Sequence, residues 1–129
     1  MPQVINDAVE TLNQFLAAVM SQNLEHIMGF FNEDAQMFSP LGTFPARLDG
    51  RAAIGNQFAS IMEAIKSQPG GTLKIEPQDI DARQLAPTAA LITFHLRLPG
   101  PLHRRSFLMM KGTSGWRIAH IHASIASPT

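Results

Sequence analysis

The fold is decided by the stretch Gly115-Trp116-Arg117-Ile118-Ala119-His120-Ile121-His122-Ala123-Ser124-Ile125. Successive side chains of a β-strand point to opposite faces of the sheet, so an unbroken strand here separates two sets of residues. One face carries Trp116, Ile118, His120, His122 and Ser124. The other face carries Arg117, Ala119, Ile121, Ala123 and Ile125. Both faces suit burial, which predicts a central strand with a polar-tipped pocket on the histidine side and a packed aliphatic layer on the other.

The first half of the chain shows the spacing of helices. Apolar residues recur at helical intervals from Ile5 to Met20, and again over residues 24–31, where Asn23 can cap a short second helix. Asp49-Gly50 opens a third predicted helix, whose apolar stripe runs from Ile54 to Ile65. The sequence therefore predicts three amphipathic helices that each present one apolar face.

The apolar period changes from helical spacing to alternation after the third helix. Strands are predicted over residues 35–39, 73–76, 80–85, 89–98, 103–111 and 116–125. Pro40 ends the first predicted strand after Ser39. Residues 41–45, which contain Gly42 and Pro45, predict a loop. Helices followed by an antiparallel meander are typical of an α+β domain, in which N-terminal helices pack on a curved, mostly antiparallel sheet.

Size and composition narrow the class of protein. The 129 residues suit a single domain over 1–129, and a formal charge of zero without a run of like charge predicts no nucleic-acid partner. The chain has no cysteine, which excludes disulfides and thiolate chemistry. Its first residues lack a basic segment followed by an apolar one, and no apolar run reaches membrane-spanning length. We expect a cytoplasmic protein with no membrane partner.

The aliphatic face of the last strand raises the question of what covers it. A second copy of the chain is the simplest candidate, because a self-complementary patch packs about a two-fold axis. We therefore expect a homodimer formed through the outer sheet face that Ala119, Ile121, Ala123 and Ile125 would create. In the alternative arrangement the helices cover this Ala/Ile face, and the histidines face solvent.

Three segments of the sequence resemble a known family. Gly115–Ser124, after a strand that begins Arg104-Arg105-Ser106, looks like the terminal hairpin of SnoaL-like proteins and of the association domain of calcium/calmodulin-dependent kinase. Residues 31–42 are similar to the helix-to-strand passage of ketosteroid isomerases, and residues 49–54 to the family's entry into its third helix. The chain thus resembles the NTF2-like superfamily, and within it the SnoaL-like and ketosteroid-isomerase-like small proteins.

The resemblance implies a conical α+β fold with a pocket between helices and sheet, and frequent dimers. It also implies functions that range from isomerase, cyclase and dehydratase to non-catalytic ligand binding or assembly. The best-known chemistry of the family is not expected here. Ser39 occupies the position of the isomerases' proton-shuttling Asp, Phe15 that of their oxyanion-stabilising Tyr, and the chain contains no Tyr.

His120 and His122 are the predicted catalytic residues, since imidazoles two residues apart on a strand share a face and can exchange protons near neutral pH. They are too few for a zinc site, which would need a third ligand such as His95 or Asp34, so neither a metal nor another cofactor is expected. The alternative is that one or both are structural histidines bonded to neighbouring groups.

Further side chains are predicted to bind the ligand. Arg104 and Arg105 point to opposite faces, and the turn decides which one reaches the histidines. A two- or four-residue turn sets Arg105 across from His122, whereas a three-residue turn sets Ser106 there and brings Arg104 to the histidine side. An Arg in the cone would favour a carboxylate or an enolate. The other predicted ligand-binding residues are Phe15, Phe38, Phe58, Met62, His95 and Trp116.

The sequence therefore predicts a protein that binds a small hydrophobic molecule. We expect a cofactor-independent isomerase, cyclase or dehydratase in which a His transfers the proton. The alternative is a non-catalytic domain for ligand binding or for dimerisation and assembly.

Overall fold

The computed structural model describes residues 2–39, 47–71, 74–97 and 102–126. The helices are α1 (Pro2–Ser21), α2 (Leu24–Met28) and α3 (Arg51–Lys66). The strands are β1 (Phe31–Phe38), β2 (Arg47–Asp49), β3 (Pro77–Ala86), β4 (Ala89–Arg97), β5 (Leu102–Gly112) and β6 (Gly115–Ala126). The predicted loop over 41–45 lies outside the described residues.

The six strands form one sheet in the order β2-β1-β6-β5-β4-β3. Every neighbouring pair is antiparallel except β1 and β6, which run parallel. The helices cover one face, where their apolar stripes meet the inner side chains of the sheet in a continuous core. The prediction of an α+β fold with N-terminal helices on a curved, mostly antiparallel sheet is confirmed.

Helix boundaries follow local capping where the sequence signals it. The Asn23 side chain accepts a hydrogen bond from the His26 backbone N–H at 3.1 Å, as the sequence predicts. Helix α2 nevertheless ends at Met28, and not at residue 31. Phe31 is fully buried and pairs with Ile118 of β6, so strand pairing replaces the predicted last helical turn. Gly50 precedes α3 with φ of 91°, a conformation that favours glycine.

The structure differs from the predicted strands at one segment and contains one further strand. Residues 74–76 of the predicted strand over 73–76 are not in a strand, and β3 begins afterwards at Pro77. Strand β2 was not predicted; its Leu48 is buried and pairs with Met37 of β1. None of the helices in the described ranges is both long and apolar enough to span a membrane.

A β-bulge at Ala119 determines which side chains of β6 face the helices. Ile118 pairs with Met109, and His120 pairs with the adjacent Leu108, so Ala119 is an extra residue with no partner of its own on β5. One extra residue reverses the facing of everything that follows it. The inner face of β6 therefore begins with Trp116 and Ile118 and continues with Ile121 and Ala123, all at most 7% exposed.

The bulge corrects two predictions. His120 and His122 lie on the outer face of the sheet, where His120 is half-buried and His122 is exposed, so their predicted place in the cone is wrong. The predicted outer patch of Ala119, Ile121, Ala123 and Ile125 is wrong as well, because Ile121 and Ala123 belong to the core beneath the helices. The alternative in which the helices cover this aliphatic strip matches the structure.

Candidate functional site

A cavity of about 280 Å³ lies between the inner face of the sheet and the helices α1 and α3. Most of its wall is apolar. Phe15 of α1 packs edge-on against Phe58 of α3 and Phe107 of β5, with ring centroids 6.2 and 5.6 Å away. Edge-to-face packing holds aromatic rings in fixed positions. The helices and the sheet therefore support a preformed apolar space of the size used for small ligands.

Four polar side chains interrupt this apolar wall: Ser39, Gln57, His103 and Arg105. Gln57 is 1% exposed, and its Nε2 donates a hydrogen bond to Ser39 Oγ at 2.6 Å. Its Oε1 and the Nδ1 of His103 are buried and have no hydrogen-bond partner in the part of the chain that the structure describes. Buried polar atoms are nearly always bonded in folded proteins, so two such atoms in one cavity indicate a place for a ligand or water.

His103 and Arg105 lie two residues apart on β5 and share its inner face. Burial is the main cause that lowers the pKa of His103, and the nearby charge of Arg105 lowers it further. The imidazole is therefore neutral near pH 7 and can accept a proton. Burial also lowers the pKa of Arg105, but a guanidinium keeps its proton at any physiological pH.

Arg105 has little compensation for its charge. Its Nη1 donates to the backbone oxygen of Arg104 at 3.1 Å. None of the ion pairs among the described residues includes Arg105, and this part of the chain contains all ten Asp and Glu side chains of the sequence. The cavity therefore combines an imidazole whose pKa is lowered with a guanidinium that has no ion-pair partner among the described residues.

The structure places three of the predicted ligand-binding residues in this cavity: Phe15, Phe58 and Arg105. Met62 is buried in the core without lining the cavity. Trp116 is on the inner face but lines a separate, more polar recess beside Thr11 and Gln14, and its indole N–H has no partner among the described residues.

Three other predicted residues lie away from the cavity: Phe38, His95 and Arg104. Arg104 is exposed on the outer face of β5, opposite in direction to Arg105. His95 is half-buried, and its Nδ1 lies 3.0 Å from Asp79 Oδ2 in an ion pair near the sheet edge. The predicted position of Arg104 and His95 in the cone is wrong because β4 and β5 alternate regularly and present their other residues to the helices. Phe38 lies outside the cone because β1 presents its neighbour Met37 to the cavity.

The turn before β6 explains the position of the arginines. It has two residues, Thr113 and Ser114, which in a regular hairpin would set Arg105 across from His122. The bulge shifts the register by one, so Ser106 pairs with His122 and Arg105 pairs with Ala123. Arg105 therefore faces the cavity, while Arg104 lies on the outer face with both histidines. This is the pairing predicted for a three-residue turn, reached here by a two-residue turn and a bulge.

His120 and His122 surround an exposed aromatic ring on the outer face. The Phe38 ring centroid lies 5.7 Å from that of His120 and 5.3 Å from that of His122. Burial lowers the pKa of His120, and the neighbouring His122 adds to the effect. In the described ranges no three His, Asp or Glu side chains form a group that could hold a metal ion.

Sequence reasoning missed His103 and Gln57 as site residues, although both leave a signal. His103 shares the inner face of β5 with Arg105 and Phe107 by simple alternation. Gln57 is a single amide next to Phe58 on the apolar stripe of α3, and a lone polar residue on a buried stripe indicates a specific partner.

The helices, the curved sheet and the cavity between them define a cone-shaped α+β protein. Residues 8–128 match the family described as the SnoaL-like domain, so the chain belongs to the SnoaL-like domain family. The resemblance to the NTF2-like superfamily is thereby confirmed.

Solved structures share this fold. An NTF2-like protein of unknown function from Pseudomonas putida KT2440 has a TM-score of 0.85 at 15% identity, covering 100% of this chain and 91% of that one. A provisionally assigned dehydratase of the NTF2-like family from Streptomyces avermitilis has a TM-score of 0.84 at 17% identity, covering 99% and 100%. A ketosteroid isomerase-like protein from Erwinia carotovora atroseptica has a TM-score of 0.77 at 16% identity, covering 96% and 97%.

These identities are low, and the similarity concerns the fold alone. No curated protein matches the sequence. The function must therefore be argued from the cavity and its side chains, because one fold hosts many activities.

Proposed function

We propose that this protein binds a small hydrophobic molecule in the cone cavity and moves a proton on it, as a cofactor-independent isomerase, cyclase or dehydratase. His103 takes the proton-transfer role that the sequence suggested for His120 and His122. Arg105 stabilises the negative charge that develops on the substrate. Membership of the SnoaL-like family and the fold shared with a provisionally assigned dehydratase support the proposal.

The observation that carries the proposal is the neutral imidazole of His103 beside the unpaired guanidinium of Arg105 in an apolar cavity. A general base must be unprotonated at the working pH, and burial of the imidazole, with the charge of Arg105 as the smaller cause, lowers the pKa of His103 in that direction. A low-dielectric cavity also strengthens the attraction between a cation and a developing oxyanion. These two groups suit removal of a proton from a carbon next to a carbonyl.

The chemical step uses only these side chains. The proton of the α-carbon moves to the free nitrogen of His103, and the C–H electron pair moves into an enolate whose oxygen Arg105 holds. Where a carbon–carbon double bond is conjugated with the enolate, His103 returns the proton to the far carbon of that double bond and gives an isomer. Where a hydroxyl lies on the neighbouring carbon, protonated His103 gives its proton to that hydroxyl, which leaves as water and gives a dehydrated product. Where the same molecule carries a second carbonyl, the α-carbon of the enolate attacks it and closes a ring, and the resulting alkoxide takes the proton from His103.

An exchange assay tests the proposal without knowledge of the natural substrate. Single-ring ketones and keto acids are incubated with the protein in deuterium oxide, and deuterium at the α-carbon is followed by mass spectrometry. We expect exchange above the protein-free rate, and His103→Gln lowers this gain by at least about 100-fold, as removal of a general base does. The matched controls His120→Gln and His122→Gln keep the wild-type rate because both residues face outward.

Two results count against catalysis. If the His103→Gln variant still exchanges deuterium at the wild-type rate, His103 is not the general base. Binding of these compounds without any exchange favours the alternative function, a non-catalytic ligand-binding domain.

The assembly alternative also has an observation in its favour. The outer face of the sheet exposes two large apolar side chains, Phe38 and Met110, each 37% exposed. We propose a homodimer through this face, in place of the patch around Ile121. Dimers of standard size bury about 800 Å² on each partner, an area that a sheet face can provide.

Light scattering after size-exclusion chromatography tests this dimer. Phe38→Asp and Met110→Asp should each give monomers. Ala52→Asp on the exposed side of α3, across the sheet from the outer face, serves as a control for a new surface charge. A dimer that survives both outer-face changes contradicts the proposed interface.

The cytoplasmic location stays a prediction, which cell fractionation would test.

A further inference from the structure

We infer that the ligand of the cavity is a single-ring carboxylate that also carries a hydroxyl group, with its carboxylate on Arg105 and its hydroxyl on Gln57. This inference rests on the proposed function and names the chemical class of molecule that the site takes. Three features of the cavity lead to it: the uncompensated cation, the buried acceptor and the limited volume.

The first feature is the charge of Arg105. The residue pairs across the sheet with Phe94 on β4 and with Ala123 on β6, both buried, so its surroundings on the inner face are apolar. All ten carboxylate side chains of the protein lie within the described ranges, and none forms an ion pair with it there. A partly buried cation without a counter-ion is unfavourable, and a planar guanidinium matches a carboxylate with two parallel hydrogen bonds. The missing anion is therefore supplied by the ligand.

The second feature is the Oε1 atom of Gln57. Its amide nitrogen donates to Ser39 Oγ at 2.6 Å, and its oxygen is the remaining group of the amide. That oxygen is buried without a partner among the described residues, in a side chain that is 1% exposed. An amide oxygen only accepts hydrogen bonds, so a carboxylate cannot satisfy it. The ligand therefore needs a hydrogen-bond donor that faces this oxygen. A hydroxyl group is such a donor, and it leaves the charge of the ligand unchanged.

The third feature is size and shape. The cavity of about 280 Å³ equals the share of liquid volume of roughly nine water molecules. Four phenylalanine rings line it: Phe15, Phe58, Phe94 and Phe107. This volume holds one aromatic or alicyclic ring with a short substituted side chain.

Calorimetric titration with three matched compounds tests the inference. Phenyllactate carries the ring, the carboxylate and the hydroxyl. Phenylpropionate lacks only the hydroxyl, and the diol in which a hydroxymethyl group replaces the carboxylate of phenyllactate lacks only the charge. We expect phenyllactate to bind about tenfold more tightly than phenylpropionate, and roughly 10- to 100-fold more tightly than the diol.

Variants assign each preference to its side chain. Arg105→Met should remove the preference for phenyllactate over the diol, and Gln57→Met the preference for phenyllactate over phenylpropionate. The matched control is Arg104→Met, the adjacent residue on the outer face, which should leave all three affinities unchanged. The comparison of ligands on the wild-type protein stands even where a variant fails to fold.

The outcomes separate this inference from the proposed function. Equal affinity for phenyllactate and the diol overturns the inference, and so does failure of all three compounds to bind at millimolar concentration. Selective binding of phenyllactate without any deuterium exchange on keto acids supports the ligand class and contradicts the proton transfer. Exchange on neutral ketones without a preference for carboxylates supports the proton transfer and contradicts the ligand class.

Discussion

Replacement of Arg105 by methionine should stabilise the ligand-free protein. The guanidinium is half-buried on the inner face of β5 and has no carboxylate partner within the described residues. Methionine has a similar length, is apolar and adapts to the space between neighbouring side chains. Exchange of a buried ion pair for apolar groups of similar volume is often neutral or stabilising by about 1–4 kcal/mol, and a buried charge without an ion-pair partner has no pairing energy to lose.

The expected gain follows from two opposing effects. Because Arg105 is only partly buried, we take the lower part of that range, about 2 kcal/mol. The variant loses the hydrogen bond from Arg105 Nη1 to the Arg104 oxygen, which contributes about 1 kcal/mol. The net gain is about 1 kcal/mol. For 129 residues the entropy of unfolding is about 0.27 kcal/mol/K, so the melting temperature should rise by about 4 °C.

Differential scanning calorimetry at pH 7 on protein freed of bound small molecules measures this shift. Arg104→Met is the control, since the same change on the exposed outer face should alter stability by less than about 0.5 kcal/mol. A fall of several degrees for Arg105→Met with an unchanged Arg104→Met would refute the reasoning. Arg105 would then stabilise the fold, and its charge would no longer require an anionic ligand.

Two further predictions concern pH and the bulge. The lowered pKa values of His103 and His120 mean that the unfolded chain takes up protons near pH 6.5 before the folded chain does, so stability falls as the pH drops from 7 to 5. The urea midpoint should fall less over this range in His103→Gln and in His120→Gln, and an equal fall in both variants and wild type would contradict the assignment. Deletion of Ala119 should keep the facing of β6 and lower stability by only about 1–2 kcal/mol in urea titrations, because Ile118 and His120 already pair with adjacent residues of β5. An alanine inserted after Ile121 reverses the facing of Ala123 and should therefore lower stability more than the deletion does. A smaller loss of stability from the insertion than from the deletion would contradict this register.

Much of the fold could be predicted from local pattern. Helical spacing identified α1 and α3, Asn23 marked the start of α2, and alternation located β4, β5 and β6. These signals depend on each segment burying one face, which neighbouring residues alone reveal. The end of α2 could not be predicted in this way, because Phe31 fits both the helical stripe and a strand that pairs with Ile118.

The site was harder to predict than the fold. Ala119 is small and apolar, so β6 reads equally well with or without a bulge at that residue. The choice depends on pairing with β5, where Leu108 and Met109 take His120 and Ile118 as partners. The direction of Arg105 relative to the histidines depends on the same pairing. Sequence reasoning therefore identified Arg105 as a site residue but grouped it with His120 and His122, whereas the cavity holds His103.

The same bulge sets a small residue beside Arg105 in the cavity wall. It sets Ala123 across from Arg105 and Ile121 across from Phe107 on the inner face. A residue as small as alanine leaves space in front of the guanidinium, and the apolar neighbours give it no alternative partner. With a regular strand, His122 would pair with Arg105 on that face, and two hydrogen-bonding side chains would fill the space that Ala123 leaves open. The register shift at Ala119 thus places Ala123, and not His122, beside Arg105 on the inner face. It leaves the guanidinium without an ion-pair partner among the described residues, so that solvent or a ligand must supply its remaining hydrogen bonds.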